Sequence, residues 1–396
     1  SKMAEENSSP TTNPESSDDS IVENGILPVI EDRYVLIDGA MHEGGGQIVR
    51  TALAMSAITS LPCRIINIRR SRPEPGLKPQ HLNCIIALEK LCNATTEGAE
   101  IGSDELIFIP GKIVPCNISL DIGTAGSITL LLQSLLLPSL LSGGRMSIRI
   151  IGGTDVSWSM PYDFFENVLL MYYRIFGRID CSLERRGYYP KGNGKITLKI
   201  KNEQTMIDAM ERLHSNALDE DKKSSALISE IRNLFPPLKI RDRGTLQRIR
   251  GVSNASSDLR SAEVAERTAK SAKRHLSDYD CKVSVDLDYQ ETSSTGSGIT
   301  LIAVFDDTVL AADALGKKGI RSESIGRFAA GRLRKEIDSG AAIDRHCADN
   351  LIPILGLLGG VIEVSEVTRH TMANIYAVER FLGKRFRIEE NVIISE

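Results

Sequence analysis

Tyr34-Val-Leu-Ile37 runs directly into Asp38-Gly-Ala-Met-His-Glu43-Gly-Gly-Gly-Gln47-Ile-Val-Arg50, and this stretch sets the reading of the fold. The short apolar run, closed by Asp-Gly, predicts a buried strand. A helical run over 47–60 follows it. The three consecutive glycines between them stabilise neither element, so their use lies in close backbone approach or unusual dihedrals. The pattern of strand, turn and helix then recurs. Strands are predicted at 63–68, 106–109, 146–151 and 195–200, separated by helices near 80–92, 125–141 and 161–176. Such alternation indicates a layered α/β fold.

The character of the chain changes after about residue 203. Residues 203–275 are strongly charged, include the serine-rich stretch 253–257, and read as helices and loops. Strands are predicted at 282–287 and 300–305, and an amphipathic helix at 322–339. Residues 342–396 regain the earlier style, with a helix at 347–358, a strand at 361–364, a helix at 371–382 and a final strand at 386–394. The expected organisation is a large domain over 31–204 and 341–396, interrupted by a smaller α/β domain over 205–340. Residues 1–30, rich in Ser, Asn, Glu, Pro and Asp, are expected to be a disordered acidic tail.

A chain of 396 residues exceeds the usual single domain, and its 41% hydrophobic and 25% charged content suits a soluble globular protein. The seven cysteines are odd in number and contain no C-x-x-C pair. Free thiols in a reducing, intracellular compartment are therefore expected, with no zinc site. No signal peptide is read in the polar first residues. The most apolar stretch, 128–141, falls short of the about 20 residues a membrane span needs, so no membrane partner is expected.

The net charge is -4 and unevenly placed. Residues 1–32 hold eight acids and one lysine, a net of -7, which leaves +3 for the remainder. From Arg33 to Leu82 seven Lys or Arg face three acids, enough local charge for a phosphate partner or simply a solvated face.

Four segments carry candidate chemistry. The glycine run before a helix start exposes N–H groups suited to an anion, with Glu43 as a candidate metal ligand and Arg50 within reach of a phosphate, or it is a tight turn with a surface arginine. It is not a Walker A loop. In Arg69-Arg-Ser-Arg72-Pro-Glu-Pro-Gly-Leu-Lys78-Pro-Gln80-His81, three prolines stiffen a loop crowded with positive charge. Gln80 and His81 then open a helix, as ligand contacts or as packing detail. Gln133 is a lone amide in an apolar helix after Gly123-Thr-Ala-Gly-Ser127, and needs either core backbone groups or a ligand's base edge. Near the C-terminus, His346-Cys347-Ala348-Asp349-Asn350 opens an apolar helix, and His370 stands at another helix start. There the dipole favours a neutral imidazole and an incoming phosphate, though a histidine cap fits equally.

In order and over nearly all of 34–395, these segments resemble the RNA 3'-terminal phosphate cyclase family. The matching residues are Asp38-Gly through Gln47 with Arg50, Pro75-Gly-Leu with Gln80-His81, Glu97 to Gly102, Gly187-Tyr-Tyr-Pro190, and His370 with Asn374-Ile and Val378-Glu-Arg-Phe381. The resemblance implies a catalytic domain of repeated β/α units with a smaller inserted domain. It also implies an ATP-dependent conversion of an RNA 3'-terminal phosphate to a 2',3'-cyclic phosphate, through AMP carried on His370 and then on the RNA end. A divalent cation (Mg or Mn) would assist, contacted by Glu43. Arg50, Arg69, Gln80 and His81 would meet phosphate or substrate, and Gln133 with 346–350 the nucleotide. Asp349 would orient His370 or the ribose. Where the family often has Tyr and Gln at the ends of that five-residue segment, this chain has His346 and Asn350. The nucleus is the expected location for a eukaryotic source and the cytoplasm otherwise. The alternatives are a non-catalytic cyclase-like ribosome-biogenesis factor, which lacks the histidine and the glycine and Gln-His elements, and an enolpyruvyl transferase of similar architecture.

Overall fold

The strand expected first forms over Tyr34–Asp38, and the chain turns through Met41–Glu43 into helix α1, Gly45–Thr59. The structure, a computed structural model, describes residues 26–43 and 45–396. Most of the expected tail therefore lies outside the described residues. From residue 26 the chain is attached to the body: Val29 N donates to Arg380 O at 2.9 Å.

Three sheets share one construction, a parallel pair joined by a crossover and flanked by antiparallel strands. In the first, Tyr34–Asp38 and Cys63–Ile66 are parallel across α1, with Leu106–Ile109 and Thr95–Glu97 beyond and the short Ile30–Glu31 at the other edge. α2 is Pro79–Cys92. In the second, Ile118–Asp121 and Arg145–Gly152 are parallel across α3, Ile128–Leu140, and are followed by Gly194–Lys201 and Arg178–Arg185. The stretch expected as one helix at 161–176 is broken into α4 (Tyr162–Phe164), a π turn (Phe165–Leu169) and α5 (Leu170–Tyr173). In the third sheet, Leu238–Ile240 and Gly360–Glu363 are parallel. The final strand expected at 386–394 is instead a hairpin, Phe386–Glu389 and Val392–Ser395. The α/β fold class expected from the sequence is the one observed.

A second, smaller core lies under a fourth sheet, ordered Lys282–Gln290, Leu246–Ser256, Ser297–Phe305, Val309–Leu315. After α6 (Gln204–Ser215) and α7 (Glu220–Leu234), helices α8 (Val264–His275) and α9 (Ser322–Asp338) cover this sheet, burying Ile249, Leu276, Leu301, Ala329 and Leu333. α6 and α7 place Met206, Met210, Leu227 and Ile231 in the larger core instead. One expectation fails here: 203–275 is not only helix and loop, because its serine-rich part is the buried end of the 11-residue strand Leu246–Ser256. Ser253 Oγ donates to Ala265 O at 2.8 Å, and Asn254 Oδ1 accepts from Tyr188 at 2.6 Å. Satisfied in this way, polar residues occupy a central strand.

The last two helices are α10, Arg345–Leu358, and α11, Arg369–Leu382. Each begins on a side-chain cap. Asp344 accepts from His346 N and Cys347 N, and Thr368 accepts from Thr371 N. α1 packs against α2, α3 and α11, and α10 packs against α11. Fully buried leucines of α3 and α10 contribute about 1.5–3 kcal/mol each to this layer. No helix among the described residues is long and apolar enough to cross a membrane.

Candidate active site

The first turn of α1 defines the floor of the site. A Cβ on Gly45, which has φ +51°, would lie 2.9 Å from Arg72 Nη2. A Cβ on Gly46 would lie 2.3 Å from His81 Nε2 and 3.0 Å from Arg50 Nη1. Any side chain here would displace two guanidiniums and an imidazole from the positive end of the helix. The glycine run thus permits that close approach.

Two of the basic groups around it, Arg50 and His81, each keep a buried nitrogen with no hydrogen bond among the described residues. Arg50 is 9% exposed, donates Nη2 to Gln47 Oε1 at 3.0 Å, and leaves its buried Nε without a hydrogen bond among the described residues. Burial holds its guanidinium below the ordinary value. His81 Nδ1 accepts from Lys78 N at 2.9 Å, so in the neutral ring Nε2 carries the proton. That Nε2 is also buried and has no hydrogen-bond partner among the described residues. Burial, then the charges of Arg50, Arg69 and Lys78, push the His81 imidazole down to about 3. Two buried donors therefore converge at a helix N-terminus, an arrangement that suits an anion.

His370 is the second residue of α11 and reaches solvent. Desolvation by the surrounding protein, then the charges of Arg50 and Arg72, hold its imidazole below the usual value. It stays neutral near pH 7 and keeps a nitrogen lone pair available. The helix start that carries it is fixed from α10: Asp349 Oδ1 accepts from Thr368 Oγ1 at 3.0 Å and from Thr371 Oγ1 at 2.6 Å. Asn374 continues the link, donating to Asp349 O at 2.7 Å and accepting from Thr51 Oγ1 of α1 at 2.7 Å. Burial pushes the Asp349 carboxyl up to about 7, and the two threonine hydroxyls oppose that rise.

A narrow cleft runs between these helices, with Gln47 and Arg50 on one wall, Gln133 on the second, and Asp349, Asn350 and Asn374 on the third. The Gln133 amide makes one long contact, Nε2 to Met160 Sδ at 3.9 Å, and otherwise faces the cleft. Asn350 Nδ2 donates to His346 O at 3.1 Å. His346 is exposed, its ring 6.4 Å from Phe164 and edge-on to it. Cys347 and Ala348 have their side chains in the larger core.

The structure thus places Arg50, Gln133, Asp349 and Asn350 on one cleft, with His81 beside Arg50 at Gly46 and His370 within electrostatic reach of Arg50. Gln80, the second residue of α2, is exposed. Arg69 is engaged locally, with Nη1 donating to Glu74 O at 2.5 Å and Gly76 O at 3.0 Å, which shapes the stiff loop. Lys78 in the same loop pairs with Glu74. The Glu43 side chain lies outside the described residues. Among the described residues no group of three or more His, Cys, Asp or Glu gathers into a metal site. Sequence reasoning missed Thr51, Thr368 and Thr371. The spacing of Thr368 before α11, a helix-capping pattern, is the signal that could have found the last two.

The family model described as RNA 3'-terminal phosphate cyclase matches residues 41–388. The chain is 41% identical over 359 residues to an RNA 3'-terminal phosphate cyclase of Pyrococcus furiosus, covering 90% of this chain and 96% of that one. A protein of the same name from Archaeoglobus fulgidus is 39% identical over 90% of this chain and 98% of its own. One from Staphylothermus marinus is 40% identical over 87% and 91%. With the ordered motifs, the geometry of the cleft and matches across most of its length all in agreement, the chain belongs to the RNA 3'-terminal phosphate cyclase family.

Proposed function

We propose that this protein converts an RNA 3'-terminal phosphate to a 2',3'-cyclic phosphate at the expense of ATP, with His370 as the covalent carrier. A single juxtaposition supports this most: a neutral imidazole at the start of α11, beside buried, unpaired donors of Arg50 and His81 at the start of α1. A His370 ring nitrogen attacks the α-phosphorus of ATP, forming a P–N bond as the bond to the leaving pyrophosphate breaks. A terminal RNA phosphate oxygen then takes the AMP from His370. The neighbouring 2'-hydroxyl attacks the activated 3'-phosphorus, AMP departs, and the hydroxyl proton is lost. Relay through AMP supplies the leaving group that a phosphate monoester lacks.

Arg50 and His81 present N–H donors to the phosphates, where fixed donors in a water-poor site are most effective. Asp349 positions α11 through Thr368 and Thr371. Gln133 and the His346–Asn350 turn form the nucleotide side of the cleft. Arg69 and Gln80 hold and border the loop over the RNA end. A divalent cation accompanying ATP would be held by Glu43 and the nucleotide's own phosphates, and would supply neutralisation of the phosphate charge. The seven cysteines are all free, which suits a reducing intracellular compartment.

Incubation with ATP labelled at the α-phosphate and a divalent cation is the test. The label is expected on the protein, labile to acid and stable to base, and absent in His370→Ala. His214→Ala and His275→Ala are expected to label as the unaltered chain does. Absence of label on the unaltered protein would leave the non-catalytic binding role as the better reading.

A further inference from the structure

Trp158 is the only tryptophan in the chain and is 97% exposed. Its φ of 65° lies in the left-handed region, where a bulky residue is strained and persists only when its surroundings over-determine it. They do so here. Before it, Thr154 N donates to Gly187 O at 2.9 Å, and Asp155 is held by the buried Arg186 at 3.1 Å. After it, Met160 O accepts from Thr129 Oγ1 at 2.5 Å, and Met160 Sδ meets Gln133 Nε2. The loop is thus tied down on both sides of a large aromatic ring that stands in water, two residues before the Met160 that meets Gln133 of the cleft.

A second loop repeats the arrangement. Tyr188 is buried and bonded to Asn254, while its neighbour Tyr189 is 76% exposed. Both loops rest on the turn that opens α3: Ile128 N donates to Gly153 O at 2.9 Å, and the chain at Gly192 lies against Thr124 and Ala125. Arg185 and Lys191 flank Tyr189. Arg185 bonds to Asn193, and neither cation makes an ion pair among the described residues. Of the four Lys or Arg in residues 185–195, Arg186 is answered by buried aspartates and Lys195 by Glu184, which leaves Arg185 and Lys191 as the cations available to a ligand.

We propose that Trp158 and Tyr189 are a stacking platform for unpaired bases of the RNA strand upstream of its 3'-phosphate, with Arg185 and Lys191 drawing in the phosphodiesters. The inference rests on the RNA substrate class proposed above and adds where the strand leaves the site. Aromatic faces accept any base, which suits an enzyme that reads the terminus and not a sequence. The positive flank complements the backbone and disfavours an apolar protein partner.

The lone tryptophan supplies the test in the unaltered, full-length protein. A single-stranded oligoribonucleotide ending in a 3'-phosphate should quench Trp158 emission, whereas ATP alone should leave it unchanged. Trp158→Ala should raise KM for that oligoribonucleotide about tenfold with kcat retained, Trp158→Phe should restore most of the loss, and Tyr189→Ala should show the same split. Quenching by ATP alone, with no further change on adding RNA, would overturn the proposal. So would an unchanged KM in both alanine variants of a protein that still takes label from ATP, an outcome that leaves the cyclase reading intact. Quenching by RNA in a protein that never takes label would support the platform and remove the covalent mechanism.

Discussion

Arg50 and Arg186 are both buried arginines, and their surroundings are opposite. Arg186, 2% exposed, has Nη1 3.1 Å from Asp155 Oδ2 and 3.0 Å from Asp163 Oδ2, and Nε 2.9 Å from Asp288 Oδ2. Burial alone would lower its value, and the carboxylates of Asp155 and Asp163 carry it well above the ordinary one. Arg50 has one neutral partner, Gln47, and no carboxylate among the described residues. The first cation is answered within the protein and joins the sheet containing Arg178–Arg185 to the sheet of the smaller core through Asp288. The second retains its capacity for an anion. A buried charge is costly unless paired, so the difference separates a structural ion cluster from a binding site without reference to the family.

Replacing each arginine tests the contrast. Arg186→Met leaves buried aspartates uncompensated and is expected to destabilise the protein by about 3–5 kcal/mol, read by denaturant unfolding. Arg50→Met removes a cation that burial already disfavours. Its stability should be unchanged or slightly raised, while kcat for cyclisation falls about 10²–10³-fold, the usual loss for one fixed donor to developing charge. The contrast breaks if Arg50→Met unfolds as readily as Arg186→Met, or if Arg186→Met keeps its full stability.

The same contrast explains what was legible in the sequence. The strand at Tyr34, the helix after the glycine run and the apolar α3 announce themselves because local pattern and final burial agree. The strand Leu246–Ser256 does not, since Ser253 and Asn254 are buried only by virtue of partners at Ala265 and Tyr188. His370, Arg50 and His81 could be named from ordered motifs, yet the unpaired state of Arg50 Nε and His81 Nε2 is a property of the packing. The Arg186 cluster left no trace at all. Asp155 is 31 positions away and Asp288 is 102, so no spacing rule connects them.

Asp349 falls between the two arginines and sharpens the comparison. Its carboxyl is enclosed and answered by neutral hydroxyls of Thr368 and Thr371, with no cation bonded to it among the described residues. Burial raises it from the ordinary 3.8 to about 7. A carboxyl raised on folding binds its proton more tightly in the native state. Its contribution is therefore complete below about 3.8 and is lost as pH rises toward about 7. An asparagine at this position keeps an oxygen for both threonines and removes the titration. Asp349→Asn should therefore fold, and its unfolding free energy should fall less than that of the unaltered protein between about pH 4 and pH 7. A gap between the two proteins that stays constant across that window would mean the carboxyl is already ionised in the native state. Asp349 would then belong with Arg186, as a charge whose compensation lies within the fold.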